Sequence, residues 1–264
     1  MSTVTNPATL SPDVVEQYRR DGFVHIRGVL DADAVARYRE AAIELSTTME
    51  SRRYKGEPFT QLVNVWRRDE RIAALTGDPR IAALAEALAG APLRLWHDQI
   101  LIKQPRRSTA TEFHLDAPYW PHTGAGHWLT AWIALVDVPV ERGCMTFLPG
   151  SHRYEEFASV DLEDATALFV AMPQLTWEPR VTVPLRAGDL TFHHGACAHA
   201  ATPNLTDEPR VAHAIIYMDD GTRYSGAPHP VTDPLGLTEG ELLAGDLFPR
   251  VAHPFRPVLK PRIT

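Results

Sequence analysis

Gly188-Asp189-Leu190-Thr191-Phe192-His193-His194-Gly195-Ala196-Cys197-Ala198-His199 reads as a strand, a turn and a second strand, and it carries three of the chain's twelve histidines. Outward from it the same grammar repeats: short apolar or alternating runs, broken by turns containing Gly, Pro or Asn. Strands are expected near 93–104, 112–116, 128–136, 144–148, 181–185, 189–193, 197–202 and 210–218. A set of about eight antiparallel strands predicts a jelly-roll barrel.

In front of the barrel the texture is helical. Pro12 opens a helix that runs towards Gly22, a longer one follows Asp31, and Asp78-Pro79 opens a third that stops at Gly90. A short strand is expected over 23–30. The fold class is therefore mainly β with α decoration, in one domain: a helical front over 1–92, the barrel over 93–218 and a wrapping segment over 219–264, with a short helix at 238–244. The connection 153–180 is long for a plain loop, and such loops are often lids.

A length of 264 residues suits one such domain, and 44% hydrophobic with 22% charged residues suits a globular chain with a sizeable core. The formal charge of -7 argues against a general nucleic-acid binder, and Arg52, Arg53 and Lys55 read as solvated. No run approaches the roughly 18 apolar residues of a membrane helix, and no export signal opens the chain, so a soluble cytoplasmic protein is expected, monomer or small homo-oligomer. Cys144 and Cys197 are expected as free buried thiols.

Only one place reads His-x-Asp or His-x-Glu: His114-Leu115-Asp116. On a strand, residues i and i+2 share a face, so imidazole and carboxylate would project together while Leu115 faces away. A 2-His-1-carboxylate face leaves three positions open on an octahedral iron, two for a chelating co-substrate and one for O2. The third ligand is expected at His199, with His193 and His194 as alternatives. Arg210 follows His199 across the turn 203–209; if the two strands form a hairpin, its guanidinium reaches the same cavity. That planar fork matches the far carboxylate of 2-oxoglutarate.

These residues resemble the phytanoyl-CoA dioxygenase family of Fe(II)- and 2-oxoglutarate-dependent oxygenases. The resemblance runs through Tyr18-Arg19-Arg20-Asp21-Gly22-Phe23-Val24, Ile102-Lys103-Gln104-Pro105, Phe113-His114-Leu115-Asp116-Ala117-Pro118-Tyr119-Trp120, Phe147-Leu148-Pro149-Gly150-Ser151-His152, and then His199, Asn204 and Arg210. It implies a double-stranded β-helix, cupin-like, with iron on His114, Asp116 and His199 and 2-oxoglutarate on Arg210. It also matches Trp132 to a tryptophan lining the co-substrate pocket and offers Gln99 and Lys103 as polar contacts.

Family members often carry Ser or Thr two residues after the distal His, where this chain has Ala201, so another donor must bond that carboxylate or the bond is absent. Halogenases of this class replace the carboxylate ligand by Gly or Ala, so Asp116 points to hydroxylation instead. Tyr119, Trp120, His122, His127 and Trp128 cluster after the triad, and Tyr119, Trp120, His122 and Trp128 are candidate walls for a small-molecule substrate. The readings from other classes are a metal-binding jelly roll without oxygenase activity and a non-oxidative metalloenzyme on the same barrel.

Overall fold

Helices form where the start and stop residues fall. In the computed structural model, which describes residues 10–51, 59–124, 126–154 and 159–251, α1 (Pro12–Asp21) has Pro12 in its first turn. It ends at Gly22, whose φ of 79° lets its N–H close on the Tyr18 carbonyl. Next come β1 (Phe23–Ile26) and α2 (Ala32–Thr48), the latter capped by the Asp31 side chain accepting from the Ala34 N–H. β2 (Thr60–Val63) and α3 (Glu70–Thr76) add to the expected elements, being too short to show a period in sequence. α4 (Pro79–Ala89) is capped by Asp78 and stopped by Gly90.

The strands then run as β3 (Leu93–Lys103), β4 (Thr111–His114), β5 (His122–Thr123), β6 (Trp128–Ala134) and β7 (Met145–Phe147). After α5 (Ala167–Ala171) follow β8 (Val181–Val183), β9 (Leu190–His194), β10 (His199–Ala201), β11 (Arg210–Asp219) and β12 (Arg223–Tyr224). A six-stranded sheet in the order β1-β9-β6-β11-β3-β2 faces a four-stranded sheet in the order β4-β10-β7-β8, while β12 pairs with β5. All these pairs are antiparallel, and the fold is the expected jelly roll. α4 packs on β3 and β6, and its Ile81, Leu84, Ala85 and Leu88 join the main core. Among the described residues no helix is long and apolar enough to cross a membrane.

Three expectations are corrected. β4 ends at His114, so Asp116 is not on a strand; it has φ −78° and ψ −42°, in a turn. β10 and β11 do not form a hairpin: β10 pairs with β4 and β7, β11 with β3 and β6, and the connection between them crosses from one sheet to the other. No helix forms over 238–244, because Gly240 turns the chain at φ 82° and Leu242 forms a bridge with Arg223 instead. The long connection is packed as well as long. Its Leu168, Met172 and Leu175 bury against Leu115, Leu148 and Ala198 in a second apolar cluster. Arg52, Arg53, Lys55 and the end of the wrapping segment lie outside the described residues.

Candidate active site

The turn that carries Asp116 is tied to the β9–β10 turn. The N–H groups of Asp116 and Ala117 both donate to the Gly195 carbonyl, at 2.9 and 2.8 Å. Gly195 is required by crowding: a Cβ there would stand 2.7 Å from Trp120 Cζ3 and 2.9 Å from Trp128 Cβ. Across the β4–β10 pair, His199 lies opposite His114. The three side chains converge so that one ligand atom each from His114, Asp116 and His199 lies within 4.8 Å of the others.

The donor atoms are oriented from behind. His114 Nδ1 lies 2.7 Å from the Glu112 carbonyl and His199 Nδ1 3.0 Å from the Cys197 carbonyl. A carbonyl only accepts, so both protons sit on Nδ1 and both Nε2 lone pairs are free for a metal. Those Nε2 atoms lie 3.6 and 3.8 Å from Asp116 Oδ1. The other carboxylate oxygen is occupied: His193 Nε2 is 3.3 Å and Thr130 Oγ1 3.4 Å from Oδ2. His193 thus braces the carboxylate, while His194 accepts from the Ala196 N–H and packs on His127 and His152.

Charge follows the same logic. Burial would raise the Asp116 carboxyl, but the His193 hydrogen bond to Oδ2 helps hold it well below the usual carboxylate range. Burial, then the neighbouring His114, pushes His199 down to about 3, so it is neutral, as a ligand must be.

From these residues a cavity of about 340 Å³ runs along β3 and β11 to Arg210. Arg210 opens β11 opposite Lys103, is 2% exposed, and its guanidinium carbon stands 5.1 Å from the centre of the Trp132 ring. Burial draws it down to about 9, so it remains a cation at neutral pH. Among the described residues it makes no ion pair, and its Nε has no hydrogen-bond partner. A buried, uncompensated cation is costly, and an anionic ligand relieves that cost. Lys103 does not line the cavity; its Nζ donates to the Thr109 carbonyl, and burial and the Arg210 charge bring it down to about 6.

Of the other expected residues, Gln99, Trp132, Tyr119 and Trp120 line the cavity, whereas His122 and Trp128 do not. Trp128 Nε1 donates to His122 Nδ1 at 3.2 Å, and His122 packs edge-on against Trp96, so these two support the wall from behind. Tyr119 donates its hydroxyl to the Val160 carbonyl and accepts from the Val160 N–H, which brings the long connection to the cavity rim. Ala201 lines the cavity without a hydroxyl, and directly across the strand pair stands Thr111, 6% exposed and also lining. Sequence reasoning missed Thr111, Thr130, His97 and His229. The only signal was on β3, where His97, Gln99 and Leu101 recur at every second residue. Cys144 and Cys197 are free and buried, as expected.

Residues 18–212 match the family model described as phytanoyl-CoA dioxygenase (PhyH). The chain belongs to the phytanoyl-CoA dioxygenase family. Within that family it is 30% identical over 158 residues to phytanoyl-CoA dioxygenase domain-containing protein 1 of Rattus norvegicus, covering 57% of this chain and 54% of the rat protein. The match thus spans about half of the curated relative. The solved structure of the epimerase SnoN in complex with Fe3+, alpha ketoglutarate and nogalamycin RO superposes with a TM-score of 0.82 at 43% identity, over 90% of this chain and 97% of SnoN. The carbocyclase SnoK from nogalamycin biosynthesis superposes with a TM-score of 0.86 at 38% identity, over 94% and 99% of the two chains. The family is one of iron- and 2-oxoglutarate-dependent oxygenases, and the donor set of this chain fits both cofactors: two imidazoles with free Nε2, one carboxylate and an unpaired buried guanidinium.

Proposed function

We propose that His114, Asp116 and His199 hold Fe(II), that Arg210 and Trp132 hold 2-oxoglutarate, and that the enzyme hydroxylates a carbon of a small-molecule natural product. The observation that carries the reading is an unpartnered buried guanidinium lining the same cavity as three converging metal donors. When bound, iron with 2-oxoglutarate and dioxygen supplies the oxidising power that removes hydrogen from a substrate carbon.

The chain's own residues position and exclude. The Glu112 and Cys197 carbonyls fix the two imidazoles, and Thr130 and His193 fix the carboxylate, so the ligand face is formed before the metal arrives. Arg210 supplies two parallel N–H donors to the far carboxylate of the co-substrate. A carboxylate has acceptor sites left over, and we assign one of them to the Thr111 hydroxyl, which replaces from the neighbouring strand the hydroxyl that Ala201 lacks. Lys103, neutral beside Arg210, supports the anchor without adding charge. Tyr119 and Trp120 form the substrate wall near the metal.

A second reading has its own support, in the identity to an epimerase and a carbocyclase. Nogalamycin RO and related polycyclic natural products are therefore the first substrates to offer. Mass spectrometry separates the outcomes: hydroxylation adds one oxygen, ring closure removes two hydrogens, and epimerisation leaves the mass unchanged. Anaerobic Fe(II) with 2-oxoglutarate should give a visible charge-transfer band. Its absence with metal bound would return the chain to a metal-binding barrel, and activity without dioxygen or 2-oxoglutarate would make it a non-oxidative metalloenzyme.

A further inference from the structure

β3 carries a second polar station, well away from the co-substrate end. His97 lies opposite Ile216 on β11, six residues from the Lys103–Arg210 rung. At ~3.3 Å per residue that is roughly 20 Å along the strand, too far to touch the same small dianion. β3 has an extra residue, Trp96, at this point, a bulge of the kind that re-aims side chains beside active sites. His97 is 1% exposed yet lines the cavity. Its Nδ1 faces the Asp98 carbonyl at 3.4 Å, so the proton belongs there and Nε2 is an acceptor with no protein partner. Burial, then the neighbouring His229, holds the ring neutral, at about 3.

Gln99 stands two residues along, on the same face. Its Oε1 accepts from Gln61 Nε2 at 2.8 Å, which turns its own NH2 group to the cavity, again with no protein partner. The station is thus one neutral acceptor beside one neutral donor. His97, Gln99 and Gln61 also wall an adjoining cavity of about 310 Å³ that leads to Glu50, so the station lies where two lobes meet.

We infer that His97 and Gln99 anchor a neutral, hydroxyl-bearing ring of the substrate, of sugar or polyol type, while the outer lobe takes the rest of a larger molecule. A carboxylate or phosphate would set its lone pairs against His97 Nε2. An ammonium would leave the Gln99 N–H groups unanswered. A pair of neighbouring hydroxyls serves both, one donating to His97 and the other accepting from Gln99. His97 and Gln99 are then positioning residues that set which carbon faces the metal, and Gln99 belongs to the substrate and not to 2-oxoglutarate. This inference rests on the oxygenase reading above.

The test titrates anaerobic Fe(II)–2-oxoglutarate holoenzyme with methyl α-D-glucopyranoside and follows tryptophan emission, since Trp96 packs on His97 at 5.6 Å between ring centres. Saturable binding is expected. His97→Leu and Gln99→Leu should each weaken it about tenfold, the value of one buried hydrogen bond, whereas His97→Gln, which keeps an acceptor, should retain most of it. The charge-transfer band should be the same in wild type and all three variants. No saturable response in wild type, equal binding by His97→Leu, or preference for gluconate over the neutral glycoside overturns the inference. Loss of the band in wild type would instead sink the oxygenase reading.

Discussion

The two sheets that face each other across the cavity contribute different side chains by different means. The four-stranded sheet supplies the candidate metal donors from short pieces, the four-residue β4 and the three-residue β10, with Asp116 beyond the strand end. The six-stranded sheet supplies Arg210, Trp132, Gln99 and His97 from β11, β6 and β3, strands of ten, seven and eleven residues. On the short strands each donor is set by its own hydrogen bond to a backbone carbonyl. On the long strands position comes from register, which spaces Arg210 from Gln99 and His97. A metal needs a few atoms within ångströms of each other, and local bonds can set that; a substrate needs groups held far apart, and a long ladder is the ruler for it.

The comparison breaks first at Asp116. Asp116→Ala should abolish substrate-dependent succinate release and lower iron affinity by more than the roughly 10–100-fold that loss of an outer-shell partner costs. Retained activity would show that the short-strand donors are not the ligand set. Next in size, Arg210→Ala should weaken 2-oxoglutarate by about 2–5 kcal/mol, as truncating one side of a buried charge pair does, and leave iron affinity unchanged. Titration of the charge-transfer band measures both, and equal losses would mean the long-strand end is not separate.

A smaller effect sharpens the boundary between the sheets. Thr111→Val should weaken 2-oxoglutarate by about 0.5–1.5 kcal/mol, and Ala201→Ser in that background should restore it, since the two positions face each other across β4 and β10. Failure of the rescue would place Thr111 outside the carboxylate site. Separate in kind is an effect of acid on the turn that links the sheets. Burial pushes His194 down to about 3 and His127 down to about 4. Their folded values are depressed below the unfolded value of about 6.5, so for these bases the stability they confer is complete above that pH and drains away as pH falls towards 4. Urea unfolding at pH 7 and pH 5 should show the loss, and His194→Asn should reduce it; an unchanged pH slope in that variant would assign the loss to other groups.

Much of this was legible in the sequence because the residues involved are rare or periodic. His114-Leu115-Asp116 stands alone among twelve histidines, and the strands announce themselves through turn residues and apolar runs. The rest depends on contacts distant in the chain. β4 stops at His114 because the next two useful N–H groups go to Gly195, which no local pattern around 116 can announce. The choice of β3 and not β10 as a partner for β11 is a matter of sheet closure, so Arg210 lines the cavity through a pairing other than the expected hairpin. Thr111 acquires meaning only from its register with Ala201, and His97 only from the bulge that turns it inward.

Cys197 combines two features that bear on how long such an enzyme survives its own chemistry. Its carbonyl holds His199, while burial keeps its thiol protonated, pushed up to about 12, and fully enclosed. Oxidants attack the thiolate far more readily than the thiol. The sulfur nearest the ligand in sequence is therefore stored in its least vulnerable form, and when turnover misfires without substrate, the damage should fall on the Tyr119 and Trp120 rings that line the chamber. Peptide mapping of enzyme aged with iron and 2-oxoglutarate would read that wear as added oxygen on those two residues and an intact Cys197.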